Sequence, residues 1–358
     1  MSRSILVLNA GSSTVKWARF DGDRRVAGAT VESTDIDATV EAILESQTAR
    51  FDAIGHRLVH GGDDFTAPVW IDAETFTNLE RLEPLAPLHL PGAIAGIRAV
   101  QRLCPGVPQV ACFDTAFHAT LPLMERMFGI PRRYYRQGIR RYGFHGLSYE
   151  SIAGQLPAVS PTAASGKTVV CHLGNGASLC GMRDRKSLTT TMGYTPLDGL
   201  LMSARPGRLD PGVVLQLMKI EGSLEIVECV LGHESGLLGV SGISSDMRIL
   251  LSAKEPQAAE AVELFCSCVA KEIAAAATVL NGLDAIVFTA GIGEHSAPVR
   301  QRICDRLAWF GARLDSNANA KSERRLHAPD STVEIYQLPT DEESVIARHT
   351  AALLGDAP

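Results

Sequence analysis

The sequence contains one short pattern twice, and this repeat constrains the fold more than any other feature. An apolar run, a glycine-rich turn and a second run occur in ILVLNAGSSTVKWARF from Ile5, and again in TVVCHLGNGASLCGM from Thr168. Apolar runs bounded by glycine and serine predict β-hairpins. The repeat therefore predicts two homologous α/β domains that face each other, with a phosphate-binding turn contributed by each side of a cleft.

The length of 358 residues fits two domains. We assign residues 1–150 to an N-terminal domain and 151–340 to a C-terminal domain. The last helix, about 341–356, is a candidate to pack back on the first domain. The proline- and serine-rich stretch Pro157–Gly166 predicts a linker between the domains.

Composition excludes several classes of protein. The chain is 46% hydrophobic and 21% charged, as is ordinary for a globular protein, and its net charge of −6 argues against a nucleic-acid partner. No apolar run is long enough for a membrane span, and the N-terminal run is too short for a signal peptide. The eight cysteines form no CxxC pair. We expect a cytoplasmic, reduced enzyme with no nucleic-acid or membrane partner.

The turn from Asn9 to Lys16 has the composition of a phosphate or magnesium site. Gly11 tolerates unusual backbone angles, and the hydroxyls of Ser12, Ser13 and Thr14 suit phosphate oxygens or a hydrated Mg²⁺. The Walker A pattern is absent. An ordinary hairpin turn explains the same residues equally well, so the turn alone leaves both readings open.

Four further residues have side chains suited to phosphoryl transfer. Arg57 ends a predicted strand beside glycines, and Arg205 precedes Pro-Gly, so either could grip a carboxylate or phosphate with two bonds. His145 lies between two glycines and could donate to a developing phosphoryl charge. Asp114 could orient a catalytic group. The alternatives are solvated arginines and, for Asp114, a capping residue.

Three other turns complete the pattern. His172–Ser178 repeats the first turn, and a glycine turn at Phe288–Glu294 leads from a strand into a helix, a favourable place for a nucleotide. The last turn lacks the full GxGxxG pattern, so a dinucleotide fold is not indicated. The acidic residues at Thr340–Glu343 either complement a helix dipole or approach a metal.

Together these segments resemble the acetate kinase family, the acetate and propionate kinases of the sugar-kinase/Hsp70/actin fold group. The resemblance runs from Asn9 to Ile346 and rests on eight motifs in order: NAGSSTVK, GHRLVHGG, FDTAFH, RYGFHG, HLGNGAS, GYTPLDGL, SGISSDMR and FTAGIGE. It implies two actin-like, ribonuclease H-like α/β domains flanking a nucleotide and substrate cleft. It also implies a homodimer, formed through the second domain.

The resemblance implies a role for each matched residue. Arg57 and Arg205 would grip the carboxyl and phosphoryl groups, His145 would stabilise the phosphoryl group in transfer, and Asp114 would position the arginines or the metal. Asn9 and Glu342, with Glu343 adjacent, would hold Mg²⁺ or Mn²⁺ through water. Ser12 and Thr14 match the phosphate turn. The nucleotide would contact Lys16, His172, Asn175, Gly176, Asp246, Met247, Arg248, Gly291, Ile292 and Glu294. The acid would fit among Val59, Leu88, Phe144 and Pro196, and His89 would line the same cleft.

The chain departs from the family pattern in a few places. Pro206-Gly207-Arg208 replaces the usual Ser-Gly-Asp, which predicts an extra cation beside Arg205. Leu90, His295 and Ser344 are also unusual. The segment from Val31 to Asp52 is shortened, and we expect this to trim only a peripheral part of the first domain. No matched catalytic position is lost.

The sequence therefore predicts an acetate kinase that makes acetyl phosphate and ADP reversibly from acetate and ATP by direct in-line transfer, a reaction that also serves acetyl-CoA biosynthesis. Propionate is the close alternative, since one methylene is worth only about 1–3 kcal/mol of discrimination. A nucleotide-switched binding protein of the same fold group would not need Arg57, Arg205 and His145 together. A phosphatase would need a positioned water and no apolar pocket for an acid.

Overall fold

The computed structural model describes residues 3–11, 14–47, 50–87 and 89–355. The chain forms two compact units. The first contains the described residues of Met1–Ala119, Phe144–Ser151 and Asp341–Pro358, and the second contains Thr120–Gly143 and Ile152–Thr340. The last helix thus falls in the first unit. Thr120–Gly143, which we assigned to the first domain from the sequence, falls in the second.

A mixed sheet of six strands forms the centre of the first unit. The strands are β1 (Ser4–Ala10), β2 (Thr14–Asp21), β3 (Arg24–Glu32), β4 (Ala53–Leu58), β5 (Val69–Trp70) and β6 (Gln109–Phe113), in the order β3-β2-β1-β4-β6-β5. The first three form an antiparallel meander, and β1, β4 and β6 run parallel. The short β5 is antiparallel to β6 and was not predicted.

The second unit repeats this topology in a sheet of five strands. They are β7 (Lys167–Leu173), β8 (Ala177–Arg183), β9 (Lys186–Thr190), β10 (Ala285–Thr289) and β11 (Glu334–Gln337), in the order β11-β10-β7-β8-β9. Again an antiparallel meander is followed by two strands parallel to its first. The order β3-β2-β1-β4-β6 therefore corresponds strand by strand to β9-β8-β7-β10-β11, and the two-domain α/β fold is confirmed.

Sixteen α-helices connect the strands of the described chain. The first eight are α1 (Ile36–Glu45), α2 (Ala73–Glu80), α3 (Leu90–Leu103), α4 (Leu123–Arg126), α5 (Arg132–Arg136), α6 (Gly146–Val159), α7 (Pro161–Ser165) and α8 (Pro211–Glu221). The others are α9 (Leu224–Cys229), α10 (Gly236–Ser241), α11 (Met247–Ser252), α12 (Pro256–Leu280), α13 (Ala290–His295), α14 (Ala297–Asp305), α15 (Ser316–Ala320) and α16 (Glu342–Gly355). None is both long and apolar enough to cross a membrane among the residues described.

Helices cover both faces of the first sheet. Successive side chains of a strand point to opposite faces, so Ile5 and Val7 pack in one cluster with Val345 and Ile346 of α16. The alternate residues of β1 pack in a second cluster with α1 and α3. Burial on both faces explains why β1 is an unbroken apolar run. Because both faces of the sheet are covered by apolar clusters, polar side chains are accommodated at the edge where the parallel strands β1, β4 and β6 end.

The predicted linker at Pro157–Gly166 is wrong. α6 continues through Pro157 to Val159, and Ser160 then caps α7 by accepting a hydrogen bond from the Ala163 amide. Gly166 leads directly into β7. Serine followed by proline is also a common helix start, so composition alone could not separate a linker from a helix cap.

Candidate active site

Strand ends bring three of the predicted residues to one edge of the first sheet. Leu8 of β1 is paired with His56 of β4, so Asn9 and Arg57 follow at the same level. Arg57 is paired with Cys112 of β6, and Asp114 follows that strand directly. The carboxyl ends of parallel strands meet at one edge of a sheet, which is where α/β proteins bind ligands.

Arg57 is fixed by its neighbours at this edge. Its Nε donates to Asp114 Oδ1 at 2.9 Å and its Nη2 donates to Asp114 Oδ2 at 2.6 Å. Its Nη1 donates to Asn9 Oδ1 at 3.3 Å. These bonds use three of the five guanidinium N–H groups. The guanidinium is therefore held in a fixed plane. In the part of the chain that the structure describes, each η nitrogen keeps one N–H that could donate to a ligand.

Glu342 adds a carboxylate to this cluster from the start of α16. Its Oε2 lies 3.6 Å from Arg57 Nε. Burial raises the pKa of Glu342; Arg57 opposes that rise, Asp114 and Glu343 add to it, and Lys16 opposes it. Burial also disfavours the charge on Arg57, but Asp114, Glu342 and Glu343 outweigh this effect and raise the pKa of the guanidinium. Carboxylates thus outnumber cations here.

This group of oxygen atoms fits a hard divalent cation. Asn9, Asp114 and Glu342 each place an amide or carboxylate oxygen within 3.6 Å of the Arg57 guanidinium, and oxygens of these kinds are the ligands that Mg²⁺ prefers, usually with several waters retained. No group of three histidine, cysteine or acidic side chains arranged for direct metal binding occurs among the described residues. The donor set therefore suits a hydrated ion better than a protein-only cage.

His145 is held in a strained conformation near Asp114. Its φ of 58° is left-handed, which is uncommon for a residue with a side chain. The next residue, Gly146, donates its amide to Asp114 O at 2.9 Å, and a Cβ there would lie only 2.0 Å from that oxygen. The buried His118 also bonds through Nε2 to Phe144 O at 3.0 Å. Such strain is typical of functional sites. The bonds to the residues on either side of His145 fix the position of its backbone.

The first turn is a hairpin whose strands align two predicted residues. Asn9 is paired with Lys16 across β1 and β2, and the Gly11 amide donates to Thr14 O at 2.8 Å. Directly opposite residues of an antiparallel pair project to the same face. Lys16 therefore shares a face with Asn9 and acts on the pKa of Glu342. Ser12 lies outside the described residues.

The predicted acid pocket is only partly described. Val59 is half-buried directly after β4, and Phe144 is fully buried with its ring edge-on to His60 at 5.5 Å between centroids. Burial lowers the pKa of His60 to about 4, so this histidine is neutral at pH 7 and places no charge beside Phe144. Leu88 lies outside the described residues, and His89 directly precedes α3.

The second turn is connected to Arg205 through Ser203. His172 is paired with Ser178 across the β7–β8 hairpin and is buried. Asn175, at the tip, accepts from the Ser203 amide at 3.2 Å and from the Ser203 hydroxyl at 3.3 Å, and Gly176 accepts from the amide of Gly174. The two turns thus occupy equivalent positions in their sheets, as the repeat predicted, and the second supports the segment that carries Arg205.

Arg205 lies in a loop formed by residues 196–208, which we call the Arg205 loop. Its Nη1 donates to Pro196 O at 3.4 Å, and burial lowers its pKa. Arg208 does not point toward Arg205 as a second ligand for phosphate. It pairs instead with Glu272 of α12, at 2.9 Å between Nη1 and Oε1. The extra cation predicted beside Arg205 is therefore engaged elsewhere.

The remaining predicted nucleotide residues are at two helix starts of the second unit. Asp246 caps α11 by accepting from the Arg248 amide, and its bonds with Arg248 lower its pKa to about 2. Met247 is buried behind it. Gly291, Ile292 and Glu294 lie on α13, directly after β10, and Glu294 Oε1 accepts from the Ala290 amide at 2.8 Å. The Glu294 side chain thus supports the turn from inside.

Arg300 is a supporting residue that the sequence analysis missed. Its side chain is fully buried, and its Nη1 donates to the carbonyls of Gly293 and Glu294 at 2.8 Å each. The other nitrogens bond to Asn319 and Ser322. Arg300 thereby fixes the end of α13. The only signal in the sequence was a basic residue on an otherwise ordinary helix.

The family model of the acetokinase family matches residues 24–348. The chain belongs to the acetokinase family. Acetate kinase of Rhodopseudomonas palustris (strain ATCC BAA-98 / CGA009) is 45% identical over 389 aligned residues, with 98% of each chain covered. The identified family accounts for the order of the eight motifs, and it makes this protein a phosphotransferase with a carboxylate acceptor.

Solved structures of this acetokinase family share the fold. The Porphyromonas gingivalis acetate kinase structure has a TM-score of 0.89 at 32% identity and covers 98% of this chain and 100% of its own. The propionate kinase from Francisella tularensis subsp. tularensis SCHU S4 has a TM-score of 0.89 at 35% identity, with 98% and 99% covered. Because an acetate kinase and a propionate kinase match this chain equally well, the fold does not distinguish a two-carbon from a three-carbon acceptor acid.

Proposed function

We propose that this acetokinase-family protein is an acetate kinase, which reversibly transfers the γ-phosphoryl group of ATP to acetate and forms acetyl phosphate and ADP. The observation that carries the proposal is the Arg57 guanidinium, fixed by two bonds to Asp114 with donors left on its η nitrogens. A planar fork of this kind matches the two oxygens of a carboxylate or of a phosphoryl group.

The chemistry needs charge neutralisation and alignment more than a covalent nucleophile. Acetate is ionised at pH 7, so its oxygen attacks without a general base. We assign Arg57 and Arg205 to the carboxylate and the transferred phosphoryl group, and His145 to the charge that develops on the phosphoryl oxygens. The strained backbone of His145 and the fork at Arg57 supply preorganised donors, which need no reorientation during the reaction.

Asn9 and Glu342 are the residues that we assign to Mg²⁺, through water, with Mn²⁺ as a substitute. The excess of carboxylates over cations around Arg57 supports the assignment, because a divalent ion would balance it. When bound, the ion would neutralise charge on the β- and γ-phosphoryl oxygens. Asp114 then keeps Arg57 directed at the acceptor, while Lys16 and Thr14 border the phosphate turn.

The nucleotide is assigned to residues at strand and helix ends of the second unit. His172, Asn175 and Gly176 belong to its first hairpin, and the α11 and α13 starts contribute Asp246–Arg248, Gly291, Ile292 and Glu294. We assign the glycine-rich turn of the hairpin to the negatively charged phosphates and the two helix starts to the adenosine. The support that Arg300 gives to α13 is consistent with this role.

Acetate is the proposed acceptor, and propionate is the alternative. Val59 follows Arg57 by two residues and is half-buried, and Phe144 is buried beside His60; we assign both, with Leu88 and Pro196, to the methyl end of the acid. One methylene contributes only about 1–3 kcal/mol to discrimination, so a small change in this pocket reverses the preference. The similarity to a propionate kinase structure is the observation that supports propionate as the alternative acceptor.

A homodimer formed through the second unit is supported by an apolar helix surface. None of the eleven residues of α8, all of them described, is buried. Leu215 and Ile220 of α8 are exposed at 63% and 65%, and Leu224 of α9 is exposed at 56%. Large exposed apolar side chains on two successive helices are a feature of subunit interfaces. Light scattering should give twice the chain mass, and a monomer would refute the proposal.

The cysteines support a cytoplasmic location. All eight are described, and all eight are free thiols. Secreted proteins usually form disulfides from such cysteines, whereas cytoplasmic proteins keep them reduced.

The function is tested by trapping acyl phosphate with hydroxylamine in the presence of ATP, Mg²⁺ and each acid from two to four carbons. We expect hydroxamate from acetate at the highest kcat/KM, and none when Mg²⁺ is chelated. A higher kcat/KM for propionate would reassign the substrate. If no acid gave hydroxamate, the kinase assignment would be rejected.

A further inference from the structure

The Arg205 loop is fastened to the rest of the second unit by different contacts before and after Arg205. Before it, Met202, Ser203 and Ala204 accept backbone bonds from residues 235–238 at the start of α10. After it, the chain turns sharply at Gly207, whose φ is 71° and where a Cβ would lie 2.3 Å from Leu200 O. The Arg208 amide then donates to Gly199 O at 2.9 Å. This bond closes the part of the loop between Gly199 and Arg208.

Arg208 connects this closing point to the longest helix of the second unit. Its Nη1 lies 2.9 Å from Glu272 Oε1, and its Nη2 donates to Glu272 Oε2 at 3.5 Å. The contact therefore uses both oxygens of the carboxylate. The Glu272 side chain is only 13% exposed, whereas that of Arg208 is 68% exposed. Arg208 is the partner that reaches from the loop to a carboxylate anchored in α12.

The surroundings of Glu272 make this partner important. Glu272 lines a cavity of about 210 Å³ together with Glu125, Arg141 and Thr189. Burial raises the pKa of Glu272, Arg208 opposes the rise, Asp198 of the loop adds to it, and Arg141 opposes it. Loss of Arg208 would remove the contact between the end of the loop and α12, and would leave Arg141, 3.6 Å from Asp198 of the loop, as the remaining cation that opposes the burial of Glu272.

The orientation of Arg205 depends on its own loop. Among the described residues its side chain donates one hydrogen bond, the long 3.4 Å contact to Pro196 O, and Pro196 belongs to the same loop. No acidic side chain of the described chain pairs with Arg205, in contrast to the fork at Arg57. A shift of the loop would therefore move the guanidinium, and a displacement of about 1 Å can cost about 10²-fold in rate.

We infer that Arg208 is a positioning residue for phosphoryl transfer: by pairing with Glu272 it fixes the end of the Arg205 loop and so orients the Arg205 guanidinium. The inference rests on the proposed role of Arg205.

The test compares Arg208→Ala, Arg208→Lys, Glu272→Gln and the Arg208→Ala/Glu272→Gln double variant by steady-state kinetics and thermal unfolding. We expect Arg208→Ala to lower kcat about tenfold with each KM changed less than about twofold, because Arg205 acts on the transferred group. Arg208→Lys should recover most of the loss. The double variant should be no slower than Arg208→Ala alone, as expected for two residues that act as one pair.

Glu263→Gln is the matched control, because Glu263 lies on the same helix and pairs with Arg302 and Arg306, away from the Arg205 loop. It should leave kcat unchanged. An unchanged kcat in Arg208→Ala, or additive effects of the two single changes, would overturn the inference. Arg205→Ala is measured in parallel. If this variant retains activity, the role of Arg205 is wrong and the inference fails with it. If it is inactive while Arg208→Ala has a normal kcat, only the positioning role of the Arg208–Glu272 pair is rejected.

Discussion

Arg57 and Asp114 face each other across two hydrogen bonds, from Nε to Oδ1 and from Nη2 to Oδ2. The Asp114 side chain is 1% exposed and that of Arg57 is 21% exposed, so the carboxylate is inside and the arginine reaches outward from it. A buried charge needs a partner, and here the partner is the residue that we assign to the substrate. Asp114, directly after β6, therefore fixes the orientation of Arg57 at the end of the sheet.

Asp114→Asn should separate orientation from charge. The amide keeps one acceptor but cannot accept both guanidinium bonds, so Arg57 should lose its fixed plane. We expect kcat to fall by about 10²-fold, in line with the cost of misplacing a catalytic group by about 1 Å. Arg57→Lys should be equally harmful, because a lysine cannot form the fork. An Asp114→Asn enzyme with normal kcat would show that the fork is only structural.

Lys16→Met should move the acidic limb of the pH profile. Lys16 lowers the pKa of Glu342, which is otherwise raised mainly by burial. Without the lysine, Glu342 holds its proton to a higher pH, and we assign the ionised form to metal binding. The acidic limb of kcat/KM should therefore shift to higher pH, measured at a fixed, subsaturating concentration of Mg²⁺. Arg24→Met, on the exposed end of the same meander, should not shift the limb.

His56→Gln should reduce the loss of stability in acid. His56 is buried, bonds through Nε2 to Gln109 Oε1 at 2.7 Å, and has its pKa lowered to about 4 by burial, against the opposing effect of that bond. The unfolded chain binds the proton first, so stability is complete above about pH 6.5 and falls as the pH decreases toward 4.

This single histidine should contribute up to about 1.4 kcal/mol per pH unit to the slope of unfolding free energy. Urea denaturation at several pH values measures that slope. His56→Gln should lower it by this amount, whereas His233→Gln, at an exposed position, should leave it unchanged. Equal slopes in all three proteins would contradict the assignment of a neutral buried His56.

Gly146→Ala should disturb both stability and activity. The new Cβ would lie 2.0 Å from Asp114 O, a backbone atom that cannot move without displacing the Arg57 fork. Overpacking of this kind typically costs about 1–3 kcal/mol. Gly96→Ala is the control, because its nearest contact, Ala10 Cβ at 3.6 Å, is an ordinary one. Similar melting points and kcat for the two variants would argue against a tight approach at Gly146.

The sequence allowed the family, the acceptor class and the repeated fold to be predicted, and the comparisons confirm them. It also placed every strand that carries a proposed active-site residue. Alternation of apolar side chains and glycine turns is local information, so β1, β2 and their repeats could be found without tertiary contacts. The roles of the individual site residues remain proposals that the experiments above address.

The sequence by itself determined which chemical groups this protein has: two strand–turn–strand repeats, the arginines, a histidine between glycines and an acidic helix start. Only the tertiary structure decided their partners. Arg57 meets Asp114, 57 residues away, because parallel register aligns β4 with β6. Arg208 meets Glu272, 64 residues away, because the loop closes against α12 and not toward Arg205. Such pairings depend on register and packing between distant segments, and no local pattern in the chain encodes them.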